Sequence, residues 1–247
     1  MTSSLLFNFF LILWEVLYTS VTLPILFFPT HIVTIFLTFS IKIVLYMLRL
    51  LCGVEYEIRG MENVPKQPFI IASKHQSPFE TFIFMLLFRN AVFVLKRELK
   101  WIPFIGLHLM ALGMIFINRS DGISSIRYIV KLAKLRVKEN RNIIIFPEGT
   151  RTVVKQKTKY QSGVVALYSV LSVPVLPVAL NTGLFWPKSI LSMKKNPGKA
   201  VIEILPPIYP GLSKGEFLKN LKKTIEGKSS KLATRKLVLQ ITEKHLQ

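Results

Sequence analysis

His75 and Glu80 stand five residues apart in the stretch Ser73-Lys-His-Gln-Ser-Pro-Phe-Glu-Thr81, and of the side chains in this sequence they are the best suited to moving a proton. A histidine titrates near ~6.5 and so accepts a proton around neutral pH. A carboxylate bonded to its other ring nitrogen fixes the tautomer and steadies the imidazolium that forms. Spacing sets a condition on that partnership. On one helix, five steps of about 100° put two side chains roughly 140° apart, so the pair meets only if His75 precedes the helix. The sequence supplies the break, because Ser77 suits an N-cap and Pro78 the first helical position. The same Ser77-x-x-Glu80 spacing is also a capping box, in which Glu80 bonds only its own helix start. Both readings stand at this level.

A second chemistry, the holding of an anion, is offered by basic residues at the ends of apolar runs. Met114-Ile-Phe-Ile-Asn-Arg119 runs as a strand into an arginine, followed by Ser120 and a helical stretch. An arginine beside a helix start holds phosphate by charge-assisted bonds and the helix dipole; the same residue also fits a solvated loop. Asn142-Ile-Ile-Ile-Phe-Pro-Glu-Gly-Thr-Arg151 is a buried strand ending in a polar turn. Pro147 stops the ladder, Gly149 permits close backbone approach to a ligand, and Arg151 offers a planar fork for phosphate oxygens. Glu148 has three readings: a bond to a substrate hydroxyl, a partner that orients Arg151, or a turn carboxylate paired with a lysine. Lys96 ends a third strand-like run and faces the same cleft, with Arg97 and Lys100 near by as lipid-headgroup contacts or plain surface charge. His108, in an apolar setting, reads as a core or interfacial residue.

These groups need elements to position them. Strand-like runs fall at Val54–Arg59, Phe69–Ala72, Ala91–Leu95, Met114–Ile117, Asn142–Phe146, Val175–Leu180 and Val201–Ile204, with helical stretches at Phe82–Phe88, Ser124–Glu139 and Gln161–Ser169. Strands alternating with helices predict an α/β domain with a mostly parallel sheet flanked by helices, over residues 53–212. Active sites in such sheets gather where strands end and helices begin. Residues 1–52 are almost wholly apolar and break at Pro24 and Pro29, which predicts a two-helix membrane hairpin, either crossing the bilayer or lying in one leaflet. Residues 213–247 form a basic helix, amphipathic at Phe217, Leu218, Leu221 and Ile225, with the remainder from Gly227 peripheral.

Composition narrows the class. The 247 residues are 51% hydrophobic yet carry a formal charge of +20, a combination that suits an anionic membrane surface or a phosphorylated substrate. No zinc spacing, aromatic RNA-binding signature or basic-zipper pattern is present, so nucleic acid is not expected as a partner. A single cysteine, Cys52, excludes an intrachain disulfide and reads as a buried thiol. No metal is expected. Positive charge near the second apolar run places the domain on the cytoplasmic face of the inner membrane.

Four blocks in register resemble those of the glycerolipid acyltransferases. Lys74-His-Gln-Ser-Pro-Phe-Glu80 is similar to their His-x4-acid motif, Phe116-Ile-Asn-Arg119 to the second block, Phe146-Pro-Glu-Gly-Thr-Arg151 to the third, and Val173-Pro-Val-Leu-Pro-Val-Ala179 to the fourth. The similarity covers roughly residues 50 to 210, and Thr150 within the third block points to the 1-acylglycerol-3-phosphate branch. The resemblance implies acyl transfer from acyl-CoA or acyl-carrier protein to the sn-2 hydroxyl of lysophosphatidic acid, giving phosphatidic acid, with no cofactor beyond that co-substrate. It implies His75 as general base with Glu80 as its orienting partner, and Lys96, Arg119, Glu148, Gly149, Thr150 and Arg151 as substrate contacts. No covalent acyl-enzyme is expected, and amides at the Pro78 helix start would stabilise the oxyanion. Two departures are visible: the acid is Glu where Asp is commoner, and Lys74 replaces the usual Asn. The alternatives are the same chemistry on glycerol 3-phosphate or another lyso-lipid, and a membrane lipid-binding protein with an inactive site.

Overall fold

The computed structural model describes residues 1–103, 105–156 and 158–245, with side chains described as far as Thr234. The two apolar runs become α1 (Thr2–Val21) and α2 (Thr30–Cys52), joined through a 3-10 turn at Leu23–Phe27. Each is apolar on every side, and the sides have different fates. Phe7, Leu11 and Tyr18 of α1, with Val33, Ile41, Val44 and Leu48 of α2, are buried, whereas Leu5, Phe9, Ile12, Leu13, Ile35 and Phe39 are exposed. One stripe packs on protein; the other is free to meet lipid. Gly53 ends α2 in the left-handed conformation, its N–H donating to the Arg49 carbonyl.

Seven strands follow: β1 (Val54–Arg59), β2 (Ile70–Ser73), β3 (Val92–Lys96), β4 (Ile115–Ile117), β5 (Ile143–Ile145), β6 (Val175–Leu180) and β7 (Gly198–Ile204). Between them lie α3 (Phe79–Leu87), α4 (Ile105–Ala111), α5 (Gly122–Lys138) and α6 (Ser162–Leu171), with α7 (Lys214–His245) closing the chain. The sheet order is β1-β7-β6-β2-β5-β3-β4, parallel at every pairing except β6 with β7. This is the mostly parallel sheet expected from the alternation of elements. The strand at Gly198–Ala200 begins earlier than its apolar content predicts because those residues pair with Val54–Tyr56 of β1.

Right-handed crossovers put α3 and α4 on one face as the chain moves outward from β2 to β4, and α5 and α6 on the other as it returns through β5 to β6. α2 packs against α3 and α4, while α6 lies between α5 and α7. β2 and β5 are neighbours, so their exits leave towards opposite faces and open a crevice at their C-terminal ends.

The hairpin is joined to this domain by more than the chain. Phe7, Leu11, Val44 and Leu48 belong to the same buried cluster as Ile70 and Ile144 of the sheet. The C-terminal helix corrects the reading of the segment from Gly227 as peripheral. α7 continues past that glycine, Ser229 Oγ accepts the Leu180 N–H at 3.2 Å, and Leu232 packs with Ala179 and Leu205. The side chains of residues 235–247 lie outside the described part, so the remainder of that expectation is not addressed.

Candidate active site

Four adjacent strands, β2, β5, β3 and β4, end on the same edge of the sheet. Each hands a polar residue to it: His75 after β2, Phe146–Arg151 after β5, Lys96 at the end of β3 and Arg119 after β4. Residues from His75 to Arg151 are gathered because parallel strands share one C-terminal edge.

His75 stays outside the helix, and α3 begins immediately after Pro78. Ser77 Oγ accepts the Phe79 N–H at 3.0 Å, while the N-cap position falls at Pro78, one residue later than expected. The imidazole Nδ1 lies 2.9 Å from Glu80 Oε1, and the same oxygen accepts the main-chain N–H of Gln76 at 2.7 Å and of Ser77 at 2.8 Å. Capping box and dyad are therefore one structure, not alternatives. Thr182, just beyond the end of β6, donates its hydroxyl to Glu80 Oε2 at 2.6 Å. A fully buried carboxylate that takes two main-chain amides and the Thr182 hydroxyl presents an acceptor to the ring, so in the neutral imidazole Nδ1 carries the proton and Nε2 the lone pair. The imidazole lies flat on the Phe146 ring, centroids 3.8 Å apart at 13°. Its main-chain carbonyl accepts the Thr152 N–H at 2.8 Å.

Glu148 corrects one expectation. Its carboxylate is buried and is absent from the cavity wall. Oε2 accepts the His75 N–H at 2.9 Å, while Oε1 accepts the Lys74 ammonium and the hydroxyls of Thr152 at 3.0 Å and Thr158 at 3.1 Å. Of its three readings, the lysine-paired carboxylate is the one realised, and it builds the His75 loop from beneath. A second correction concerns the helix-start amides. Those of Gln76 and Ser77 are taken by Glu80 and that of Phe79 by Ser77, which leaves none of them for an oxyanion.

His75 opens onto a cavity of about 870 Å³. Lys96, Arg119, Gly149, Thr150 and Arg151 all line it, as does Lys188, which sequence reasoning passed over. Burial holds the Arg119 and Arg151 guanidinium groups below the usual arginine range. Neither makes an ion pair with a carboxylate among the described residues; Arg151 Nη1 donates to the Lys188 carbonyl at 3.1 Å, and its buried Nε has no partner. Cations on a cavity wall that make no direct ion pair among the described residues suit an incoming anion. Gly149 sits at φ +71°, and a Cβ there would lie 3.2 Å from Gln161 and 3.9 Å from the Arg119 guanidinium carbon. The opposite wall is apolar, with Val94, Leu95, Ile117, Ile126, Ile129 and Phe146 running between the sheet and α5. A base, a cluster of cations and an apolar slot thus share one space.

Thr182, Thr152 and Thr158 take part in this architecture, as does Glu226, 2.9 Å from Lys74 Nζ, and they carry no signal in the sequence beyond, for Thr182, lying two residues past a strand end. His108 is buried with Nε2 at 2.7 Å from the Thr22 hydroxyl, and Cys52 is a buried free thiol, both in keeping with their sequence readings.

Comparison with known proteins shows the family and the fold. The family described as Acyltransferase matches residues 55–181. The 1-acyl-sn-glycerol-3-phosphate acyltransferase of Pseudomonas aeruginosa is 39% identical over 168 residues, 68% of this chain and 65% of that protein. Its namesakes in Borreliella burgdorferi and Saccharomyces cerevisiae are 33% identical over 172 residues and 28% identical over 187, covering 67% and 60% of their own lengths. The matched region is thus about two thirds or less of these relatives. The crystal structure of the 1-acyl-sn-glycerophosphate (LPA) acyltransferase PlsC from Thermotoga maritima superposes with a TM-score of 0.75 over 94% of this chain and 95% of that one. At 24% identity that likeness is one of fold.

Proposed function

The chain belongs to the acyltransferase family, and we propose that it moves an acyl group from a thioester of coenzyme A or acyl-carrier protein to the sn-2 hydroxyl of 1-acylglycerol 3-phosphate. The product is phosphatidic acid, and no cofactor enters the scheme. His75 Nε2 takes the hydroxyl proton as the oxygen attacks the thioester carbonyl. Collapse of the tetrahedral intermediate expels the thiolate, which recovers the proton from the imidazolium, so the enzyme ends unchanged. Glu80 holds the tautomer and balances the charge on the ring. Arg119, Arg151 and Lys96 receive the acceptor's phosphate, and the apolar wall beside α5 receives an acyl chain.

The observation that carries this reading is the His75–Glu80 contact at 2.9 Å, opening onto a cavity lined by Lys96, Arg119, Arg151 and Lys188. The relatives' name supports the choice of acceptor. The hairpin's exposed apolar stripe supports association with a membrane, on its cytoplasmic face given the basic surface. Donor and acceptor are both amphiphiles, and a site held at the lipid surface takes their tails without full transfer through water.

The test is turnover of purified protein with defined acyl thioesters, using lysophosphatidate against glycerol 3-phosphate and a non-phosphorylated lyso-lipid. Lysophosphatidate should be preferred, and His75→Ala should lower kcat by roughly 10²–10⁴-fold while lysophosphatidate binding is retained. Undiminished turnover by His75→Ala would sink the proposal.

A further inference from the structure

Lys74 is a charged side chain with 1% of its surface exposed, set directly against the catalytic loop, and the reaction above gives it no task. Its ammonium lies between two carboxylates. One is Glu148, which also holds the His75 N–H at 2.9 Å. The other is Glu226 on α7, whose oxygens lie 2.9 and 3.0 Å from Nζ. The Gln156 carbonyl accepts at 3.3 Å, and the Tyr160 hydroxyl donates to Glu226 Oε1 at 3.0 Å. The resemblance to acyltransferases leads one to expect an asparagine at this position. A lysine there needs counter-charge, because a buried, unpaired ammonium is costly. A helix 152 residues further along the chain provides it.

We propose that Lys74 and Glu226 are positioning residues for His75, an ionic row through which α7 holds the catalytic loop in place and sets the charge beside the imidazole. The row reads Glu226, Lys74, Glu148, and ends on the His75 main chain. Two carboxylates and one ammonium leave it with one net negative charge. That charge favours the imidazolium and so acts on the base. The other charges facing His75 are Glu80 from α3 and, around the cavity, Lys96, Arg119, Arg151 and Lys188. None of them belongs to the row, so its charge can be changed without touching them.

The inference rests on His75 being the general base, and the experiment separates the two ideas. The acidic limb of kcat/KM is measured for the full chain in detergent micelles. Glu226→Gln, which keeps the shape and an acceptor for Lys74 and Tyr160, should move that limb to lower pH by roughly half a unit. Lys74→Met leaves two carboxylates and should move it to higher pH, and the double variant should return it towards wild type. The same order is expected from NMR titration of the His75 imidazole, which needs no turnover. If Lys74→Met is not recovered folded, Glu226→Gln decides alone. A limb unmoved in Glu226→Gln, with only a lowered melting temperature, overturns the proposal. Full activity of His75→Ala would instead overturn the general-base reading.

Discussion

Each oxygen of the Glu80 carboxylate has its own task. Oε1 gathers the imidazole and two main-chain amides, and Oε2 takes the Thr182 hydroxyl. The longer side chain, where aspartate is commoner, spans from the first turn of α3 back to a residue outside it. Across the cavity, burial disfavours the charges on Arg119 and Arg151, and a phosphate bound there, as proposed, would offset that penalty by giving each guanidinium a partner. Arg151→Ala should therefore act mainly on the acceptor. A charge-assisted bond is worth about 1.5–3 kcal/mol, so KM for lysophosphatidate should rise roughly 10- to 100-fold with a smaller change in kcat. An unchanged KM in steady-state assays would remove Arg151 from the phosphate site.

At the scale of elements, the hairpin is held to the domain by a polar lock as well as by apolar packing. The Lys195 ammonium donates to Asn8 of α1 and to the Ser192 carbonyl at 2.8 Å, and lies 5.0 Å from the ring centroids of both Phe7 and Trp186. Burial pushes it down from 10.5 to about 8. The folded state then binds fewer protons than the unfolded one between those values, so this group adds stability as pH rises from about 8 towards 10.5. Below that window its desolvation penalty is constant. Lys195→Met keeps an apolar filler against the two rings but removes the titration. The melting temperature of wild type relative to Lys195→Met should thus increase between pH 8 and 10, and calorimetry giving a flat difference would refute the assignment. α7 shows the converse lesson: its Phe217, Leu221 and Ile225 stripe is legible, while Ser229 and Leu232 continue that face beyond Gly227 among polar residues, and their burial is decided by β6 beneath them.

For the molecule as a whole, a charge of +20 and an apolar hairpin offer a membrane two attractions of different physics. Attraction to acidic lipid is screened as the Debye length falls from about 10 Å at 0.1 M salt to about 3 Å at 1 M. Burial of the hairpin's exposed stripe is not screened. Sedimentation with vesicles should therefore show salt-sensitive binding to acidic membranes over a salt-resistant remainder, and substitution of Phe9 and Phe39 by serine should lower only that remainder. Binding that vanishes in high salt would show that the hairpin does not enter the lipid.

Much of this protein can be read from local pattern. Alternation of apolar runs determines the α/β class, Ser77-Pro78 determines where α3 starts, and the four blocks single out the candidate side chains, because propensity, capping and motif spacing act over a few residues. Only the tertiary structure decides what lies around them. The strand order brings His75, Lys96, Arg119 and Arg151 to one edge, although each is more than 20 residues from the next along the chain. Glu148 is turned from substrate contact to loop support by a lysine and two threonines, and a glutamate from the last helix completes the set. Such partners are chosen by which surfaces the fold presses together and by the need to satisfy every buried charge, and neither is written in the spacing along the chain.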